Sequence, residues 1–181
     1  MSKKLHLGCG INYKKDWINL DSSKDVKPDV VWNLEKTPLP FEDNSINEIL
    51  AEHLFEHIKN FIPLMKDLHR ICKKNALIKL KVPFYNSCEQ YSDPTHVRFF
   101  SPFTFNFFNP ESNIGKFSHE VECSKKMLDI EKVKINFSAG RTSKLNFIFN
   151  PIININHTFY CKFMSGIIPA SEIEFELRVV K

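Results

Sequence analysis

The chain has no long apolar run, no block of like charges and few glycines, and each absence narrows its class. None of its apolar runs approaches the ~18 residues that a membrane-spanning helix requires. The apolar stretch that follows Lys3 and Lys4 is also too short for the core of a secretory signal peptide. We therefore expect a cytoplasmic protein without a membrane partner.

Cysteine spacing and charge exclude two further classes. The five cysteines are odd in number and share no spacing typical of a metal site, so we expect free thiols in a reducing compartment and no metal. The formal net charge of +4 is spread along the chain, without the dense basic stripe of a dedicated nucleic-acid-binding protein. Nucleic acid is therefore not indicated as a partner.

Two of the five glycines stand together near the start, and their surroundings are typical of a nucleoside site. The apolar run 5–7 stops at Gly8 and Gly10, and a second apolar run, 17–20, stops at Asp21. Glycines allow a sharp turn and a close approach of the backbone to a ligand. A carboxylate at the tip of the next strand can accept hydrogen bonds from ribose hydroxyls. Asp21 follows Gly10 by 11 positions, whereas dinucleotide sites place the acidic residue ~20 positions further on, which disfavours NAD.

Apolar patterning predicts an α/β fold in a single domain, residues 1–181. We expect a Rossmann-like, doubly wound, mostly parallel sheet with an antiparallel C-terminal strand. The predicted strands are 4–7, 17–20, 28–34, 46–51, 76–82, 127–137 and 172–180, with a helix over 60–74. Only six residues separate Gly10 from Trp17, so the first crossover helix is a single turn or absent. The segment 150–168 is ambiguous, either a helix or a lid.

By the fourth strand, the order of motifs resembles class I S-adenosylmethionine-dependent methyltransferases, in particular the small UbiE-like domain. The matching pieces are residues 5–10, Asp21, 33–34, 39–45, 51–58, 68–71, 82–83 and 93–101. Two departures stand out. Ile11 and Asn12 do not supply the third glycine of many family members, and Asn33 replaces the usual aspartate of the third-strand motif.

The resemblance implies S-adenosylmethionine as the cofactor and residues 1–84 as the half that binds it. Gly8 and Gly10 would line its methionine part, and Cys9 between them, in the same cofactor-binding turn, would be a small buried filler. Asp21 would bind the ribose.

For the adenine, the resemblance implies contacts from Asn33 and Leu34. His53 follows the fourth strand, where ligands collect in such folds, and would contact cofactor or substrate.

Residues 85–181 would form the acceptor side. His96 is our candidate for the base that a hydroxyl acceptor needs. Arg98 would either bind an anionic acceptor or pair structurally, and Tyr85 and Tyr91 would wall the acceptor pocket. The Pro-Pro tetrad of many amino-methyltransferases and the Pro-Cys pair of cytosine carbon methylation are absent. Both absences favour a small-molecule or sugar-like acceptor, and the short first crossover leaves room for a homodimer.

Two alternatives remain open. The missing third glycine and Asn33 are compatible with a degenerate nucleoside-binding module without catalysis. His53, Glu56 and His57 also match the H-x-x-E-H pattern of inverted zinc peptidases, which makes a zinc hydrolase the third hypothesis. No third metal ligand is evident from the sequence, and zinc-binding helices of this type do not usually follow a parallel strand directly.

Overall fold

A computed structural model describes residues 3–116 and 125–181 as a seven-stranded sheet with helices and loops around it. The strands are β1 (Lys4–Leu7), β2 (Ile18–Asp21), β3 (Val30–Val31), β4 (Ile46–Glu52), β5 (Cys72–Pro83), β6 (Leu128–Asn136) and β7 (Glu172–Val179). Their order is β3-β2-β1-β4-β5-β7-β6. The first five are parallel, and β7 runs antiparallel to both of its neighbours. The expected Rossmann-like sheet with an antiparallel C-terminal strand is therefore confirmed.

The helical elements are few and short. Those that lie wholly within the described residues are α1 (Phe61–Ile71), α2 (Cys88–Ser92), α3 (Asn146–Ile153), α4 (His157–Phe159), single 3₁₀ segments at Phe55–His57, Thr104–Phe108 and Gly140–Leu145, and a π-helical turn at Tyr160–Met164. None of the helices within the described ranges has the length and apolar character needed to cross a bilayer.

The crossover from β1 to β2 is a loop without a helix, as its length predicts. The buried side chain of Asn19 holds this loop. Its Oδ1 accepts the N–H of Lys14 at 2.9 Å, and its Nδ2 donates to the carbonyls of Lys14 and Trp17. One side-chain amide thus satisfies backbone groups that a helix would otherwise have paired internally.

Three predicted elements have wrong boundaries, and one of them is the strand predicted over 76–82, since β5 begins at Cys72. The helix predicted over 60–74 ends at Ile71, because the chain enters the sheet at once: Ser45 donates to the Ile71 carbonyl at 2.8 Å, and Cys72 pairs with Ile46. The strand predicted over 28–34 is reduced to Val30–Val31. Beyond it, the chain turns where Asn33 Oδ1 accepts the N–H of Glu35.

Phenylalanines cover the sheet where helices are scarce. Phe61 of α1 stands edge-on to Phe100 with ring centroids 5.7 Å apart, and Phe105 stands edge-on to Phe175 of β7 at 4.8 Å. All four side chains are buried. The alternation of β7 sends Phe175 into this core and leaves Glu174 and Glu176 partly exposed, which is the period-two pattern of a half-buried strand, whereas Glu172 at its start is buried.

The segment from α3 to residue 168 behaves differently, since several of its large apolar side chains face solvent. Phe147, Ile155 and Ile167 are the most exposed of them. Four cysteines are free thiols: Cys9, Cys72, Cys88 and Cys161. The fifth, Cys123, lies outside the described residues.

Candidate functional site

The carboxyl ends of β1, β2 and β4 meet at one edge of the sheet, beside a cavity of about 230 Å³. Such edges are where open α/β sheets bind their ligands. The lining residues are Gly8, Asp21, Ser22, Trp32, Asn33, Leu34, Glu35, Leu54, His57 and Ile58. Four of the seven residues that the sequence assigned to the cofactor therefore share one cavity.

The floor of the site is the turn after β1, which is tied to the end of β2. Gly8 and Gly10 both have positive φ, at 60° and 49°. The Gly10 N–H donates to Asp21 Oδ2 at 2.9 Å, and the Ser23 N–H donates to Asp21 Oδ1 at 2.9 Å. A carboxylate oxygen has more than one acceptor site, so both oxygens of Asp21 can still accept from a ligand.

The missing side chain of Gly8 lets the side chain of Leu54 pack directly against the turn after β1. A Cβ on Gly8 would stand 2.7 Å from Leu54 Cδ1, which is well inside van der Waals contact. At Gly10 nothing lies within 4 Å of such a Cβ, so Gly10 is required by its positive φ alone. Gly8 is thus the position at which the backbone itself forms the cavity wall.

Asn33 and Leu34 line the opposite part of the cavity, with Glu35 beside them. Leu34 is buried and supplies an apolar surface. The Glu35 carboxylate accepts the N–H groups of Lys59 and Asn60 at 2.7 and 2.8 Å, immediately before α1. An acidic side chain at a helix N-terminus is favourable, and in this place it fixes the wall of the cavity to the helix.

Three residues assigned to the cofactor from sequence are absent from the cavity lining among the described residues. Gly10 acts through its N–H to Asp21. Cys9 is buried behind the turn and is not available to a ligand, and its burial raises the pKa of its thiol. His53 stands beside the cavity, at the end of β4.

His53 carries a positive charge at neutral pH. Its Nε2 lies 3.5 Å from Glu172 Oε2 and its Nδ1 lies 3.6 Å from Glu56 Oε1. Glu172 first, and Glu56 second, raise the pKa of His53 to about 9. A protonated imidazole is a donor and not a proton acceptor, so His53 is unsuited to act as a base in this state.

His96 is nearly buried and stands against His57. The two ring centroids are 4.7 Å apart, and the planes are inclined by 68°. His96 Nδ1 is 3.0 Å from the carbonyl oxygen of Gln90, which fixes the ring. His57 lines the cavity, so His96 stands next to a lining residue without lining the cavity itself.

The other acceptor-side candidates are engaged elsewhere. Arg98 donates to the backbone carbonyls of Ile58 and Lys59 and lies over the ring of Phe61, which matches the structural pairing that the sequence left open. The Tyr85 hydroxyl contacts the Cys161 carbonyl and the Ser165 hydroxyl, so it anchors the segment after α4.

Tyr91 is largely exposed and packs on Phe99. Neither tyrosine lines the cavity beside Asp21.

Sequence reasoning missed several lining residues: Ser22, Trp32, Glu35, Leu54, His57 and Ile58. A signal existed for two of them. Glu35 directly follows the Asn33-Leu34 pair, and His57 belongs to a motif that the sequence had singled out as a metal pattern. The other lining positions carry common apolar or hydroxyl side chains that no spacing marks.

A second cavity, of about 200 Å³, lies between α3 and the π-helical turn. Its lining is mostly aliphatic and aromatic, and includes Ile153, Tyr160 and Met164. It lacks charged groups in its lining and does not adjoin the carboxyl ends of the parallel strands. The cavity beside Asp21 is therefore the candidate site.

Part of the chain matches a known protein family. Residues 3–79 match the family model described as a methyltransferase domain. None of the curated proteins matches the chain. The resemblance of the sequence to class I S-adenosylmethionine-dependent methyltransferases is thereby confirmed over the strands that build the site.

Solved structures show that the similarity of fold extends over nearly the whole chain. A SAM-dependent methyltransferase from Archaeoglobus fulgidus matches with a TM-score of 0.60 and 17% identity, covering 98% of this chain and 86% of the other. One from Mesorhizobium loti matches with a TM-score of 0.54 and 12% identity, covering 97% and 90%. The [4+2]-cyclase SpnF matches with a TM-score of 0.56 and 11% identity, covering 99% and 75%. At such identities the likeness concerns the fold, which by itself does not fix a reaction.

Proposed function

We propose that this chain, whose residues 3–79 carry the methyltransferase-domain sequence, is an S-adenosylmethionine-dependent methyltransferase acting on a small acceptor. The observation that carries the proposal is the position of Asp21. Its carboxylate is held by the glycine turn at the edge of a cavity that Asn33 and Leu34 also line. We assign the cofactor-binding role to residues 1–84 and the acceptor side to residues 85–181.

The residues present fit an adenosyl group. Asp21 offers acceptor capacity for the two ribose hydroxyls, and Leu34 and Ile58 offer apolar walls for a base. Gly8 lines the cavity with backbone alone, so the aliphatic chain of the cofactor can pass along the turn after β1. Replacement of the usual aspartate by Asn33 leaves an exposed amide at this wall, which can donate as well as accept.

S-adenosylmethionine supplies a methyl group on a sulfonium, which is electrophilic without further activation. The protein then has to align the acceptor and exclude water. A hydroxyl acceptor must also lose its proton. His53 does not accept one at neutral pH, because its pKa is raised to about 9. His57 lines the cavity and His96 stands against it, so these two imidazoles are our candidates for the base.

A catalytically inactive nucleoside-binding module is the second candidate. The exposed side chain of Ile11, at the place where many family members have a third glycine, favours it. Binding and turnover separate the two candidates, since a module binds the cofactor but never consumes it.

The test uses the full-length protein and S-adenosylhomocysteine, the spent cofactor. Calorimetric titration is expected to give one site per chain with micromolar affinity. Turnover is then measured with methyl-labelled S-adenosylmethionine and a panel of hydroxyl, catechol and sugar acceptors. Absence of binding at millimolar ligand contradicts the proposal, and binding without turnover on any acceptor favours the module.

A further inference from the structure

Glu56 is a fully buried carboxylate without a hydrogen bond. It lies in the 3₁₀ segment after β4 and is 0% exposed. Among the described residues, neither of its carboxylate oxygens has a hydrogen-bond partner. Buried carboxylates are normally paired, hydrogen-bonded or bound to a metal, because desolvating an unpaired charge is costly.

His53 neutralises Glu56 only in part. Its Nδ1 lies 3.6 Å from Glu56 Oε1, which is an ion-pair distance but longer than a hydrogen bond. The same imidazole also faces Glu172, at 3.5 Å. Its side chain is 51% exposed, so solvent screens the pair. The second oxygen of Glu56 has no such contact among the described ion pairs.

Two imidazoles beside Glu56 each have one ring nitrogen held by a neighbouring acceptor. The Gln90 carbonyl can only accept, so the His96 Nδ1 that lies 3.0 Å from it carries the proton. In the neutral ring, Nε2 of His96 then has the lone pair, and it lies 3.9 Å from the nearest Asp93 oxygen. An outer-shell acceptor on one ring nitrogen is the usual way in which a protein orients a metal-binding histidine.

The same reasoning applies to His57. The Thr95 hydroxyl donates to Asp93 Oδ1 at 2.6 Å, because a carboxylate only accepts. Thr95 Oγ1, 2.9 Å from His57 Nδ1, therefore accepts the proton of that ring nitrogen. Nε2 of His57 is left with its lone pair, and both rings present the same kind of ligand atom.

We propose that Glu56, His57 and His96 form a binding site for a divalent transition-metal cation. One ligand atom from each residue lies within 4.8 Å of the other two. Ligand atoms on one such ion stand roughly 3 to 4 Å apart, since the bonds are about 2.0–2.2 Å long. Small side-chain rotations close the difference. Two imidazoles and one carboxylate satisfy half of an octahedral shell and leave positions open.

The set differs from the one that the sequence suggested. The H-x-x-E-H pattern proposes His53 together with Glu56 and His57, and it lacks a third partner outside the motif. In the structure the third residue is His96, which lies in the loop after α2. The N–H groups of the next two residues, Val97 and Arg98, donate to the Glu56 carbonyl. These two backbone bonds hold the loop against the 3₁₀ segment and bring His96 to the site.

The location gives the cation a role, which rests on the proposed function. His57 lines the cavity beside Asp21, so the ion would stand at the wall of the adenosyl site with open positions for an acceptor. A bound dication lowers the pKa of a hydroxyl ligand toward neutrality. The substrate class that fits is an oxygen acceptor able to ligate a metal, such as a phenol, a catechol or a vicinal diol.

The experiment is a titration of chelator-stripped, full-length protein with Co²⁺ and with Zn²⁺, read by calorimetry and by the visible spectrum of bound Co²⁺. We expect one ion per chain and a rise in the melting temperature when the ion is added. Glu56→Gln, His57→Asn and His96→Asn should each weaken binding by 50-fold or more. Glu42→Gln, an exposed carboxylate ahead of β4, and His157→Gln should leave it unchanged.

Binding of S-adenosylhomocysteine is measured on the same samples, which separates the two proposals. Normal nucleoside binding with less than 0.1 ion per chain overturns the metal site and leaves the methyltransferase proposal standing. Metal binding without nucleoside binding overturns the methyltransferase proposal and leaves the metal site standing. Equal metal affinity in the wild type and in the three ligand variants also overturns the site. If a variant fails to fold, the number of ions bound per wild-type chain tests the metal site instead.

Discussion

The backbone N–H of Gly10 donates to Oδ2 of Asp21 at 2.9 Å and joins the turn after β1 to the end of β2. This contact aims the carboxylate across the cavity edge, while Ser23 holds the other oxygen. Asp21 therefore has its orientation set before any ligand arrives, which lowers the entropic cost of binding.

Asp21→Ala is expected to weaken S-adenosylhomocysteine binding by about 2 kcal/mol or more, roughly 30-fold, because hydrogen bonds to a charged acceptor are lost. The affinity of Asp21→Asn should lie between those of the wild type and Asp21→Ala, since an amide keeps one acceptor oxygen. Calorimetric Kd values measure the effect. Asp25→Ala, an exposed carboxylate in the same loop, is the control, and an unchanged Kd for Asp21→Ala would contradict the ribose role.

Gly8→Ala is expected to cost more stability than Gly10→Ala. Both place a side chain at positive φ, which costs about 1–2 kcal/mol. Only the Cβ at Gly8 also meets Leu54 Cδ1, at 2.7 Å, which adds roughly 1 kcal/mol of overpacking. Urea unfolding of both variants gives the comparison.

Gly8→Ala should also weaken nucleoside binding, because the new methyl group displaces Leu54, which lines the cavity. In the double variant Gly8→Ala/Leu54→Ala the steric part of the stability loss should disappear. Equal losses at Gly8 and Gly10 would show that the contact with Leu54 is unimportant.

Asp67 is the buried centre of a network that fixes the proline-rich loop before β4. Its Oδ2 accepts the Leu39 N–H at 2.6 Å, and its Oδ1 accepts from Arg70 Nε at 2.6 Å. Asp67→Ala leaves the buried N–H of Leu39 without an acceptor and removes one of the two carboxylates that pair with Arg70, so we expect a loss of about 2–3 kcal/mol. Asp43→Ala, the exposed second partner of Arg70, should cost less than about 1 kcal/mol. Similar losses for the two aspartates would contradict this account.

Glu48 links three strands through two lysines and gives a pH-dependent stability. Its carboxylate lies 2.8 Å from Lys79 Nζ and 3.0 Å from Lys4 Nζ. Burial on its own raises the pKa of Glu48, but hydrogen bonds from Lys79 and Lys4 outweigh it and lower the pKa overall. The contribution of Glu48 to the free energy of unfolding is therefore complete above its unfolded-state pKa of about 4.3. It is lost as the pH falls through the lower folded-state pKa.

Glu48→Gln should accordingly be less stable than the wild type at pH 7 by up to about 1 kcal/mol. The gap should stay constant down to about pH 5 and shrink below it, because protonation removes the same charge from the wild type. Unfolding curves from pH 7 to pH 3 measure it. A gap that grows with acidity would contradict the lowered pKa.

Local sequence patterns fixed the parts of the fold that depend on near neighbours. β7 has alternating apolar residues and β1 carries a short apolar run. Each pattern shows which side chains are buried, so both strands could be placed from the sequence. The boundary between α1 and β5 could not, because Ile71 leaves the helix for a backbone bond with Ser45, which lies on another element. The position at which the helix gives way to the strand is therefore set by a tertiary contact.

The candidate site divides in the same way. The sequence alone determined the glycine turn and the carboxylate opposite it. Gly8 and Gly10 follow β1, Asp21 ends β2, and the short loop between these strands makes them neighbours in the sheet. Only the tertiary structure decided the partners of the histidines. His53 takes a positive φ of 50° and turns toward Glu172 of β7, a strand that enters the sheet late in the chain. His57 instead meets His96, because the Glu56 carbonyl binds a distant loop through two backbone N–H groups, and no spacing within the motif encodes that contact.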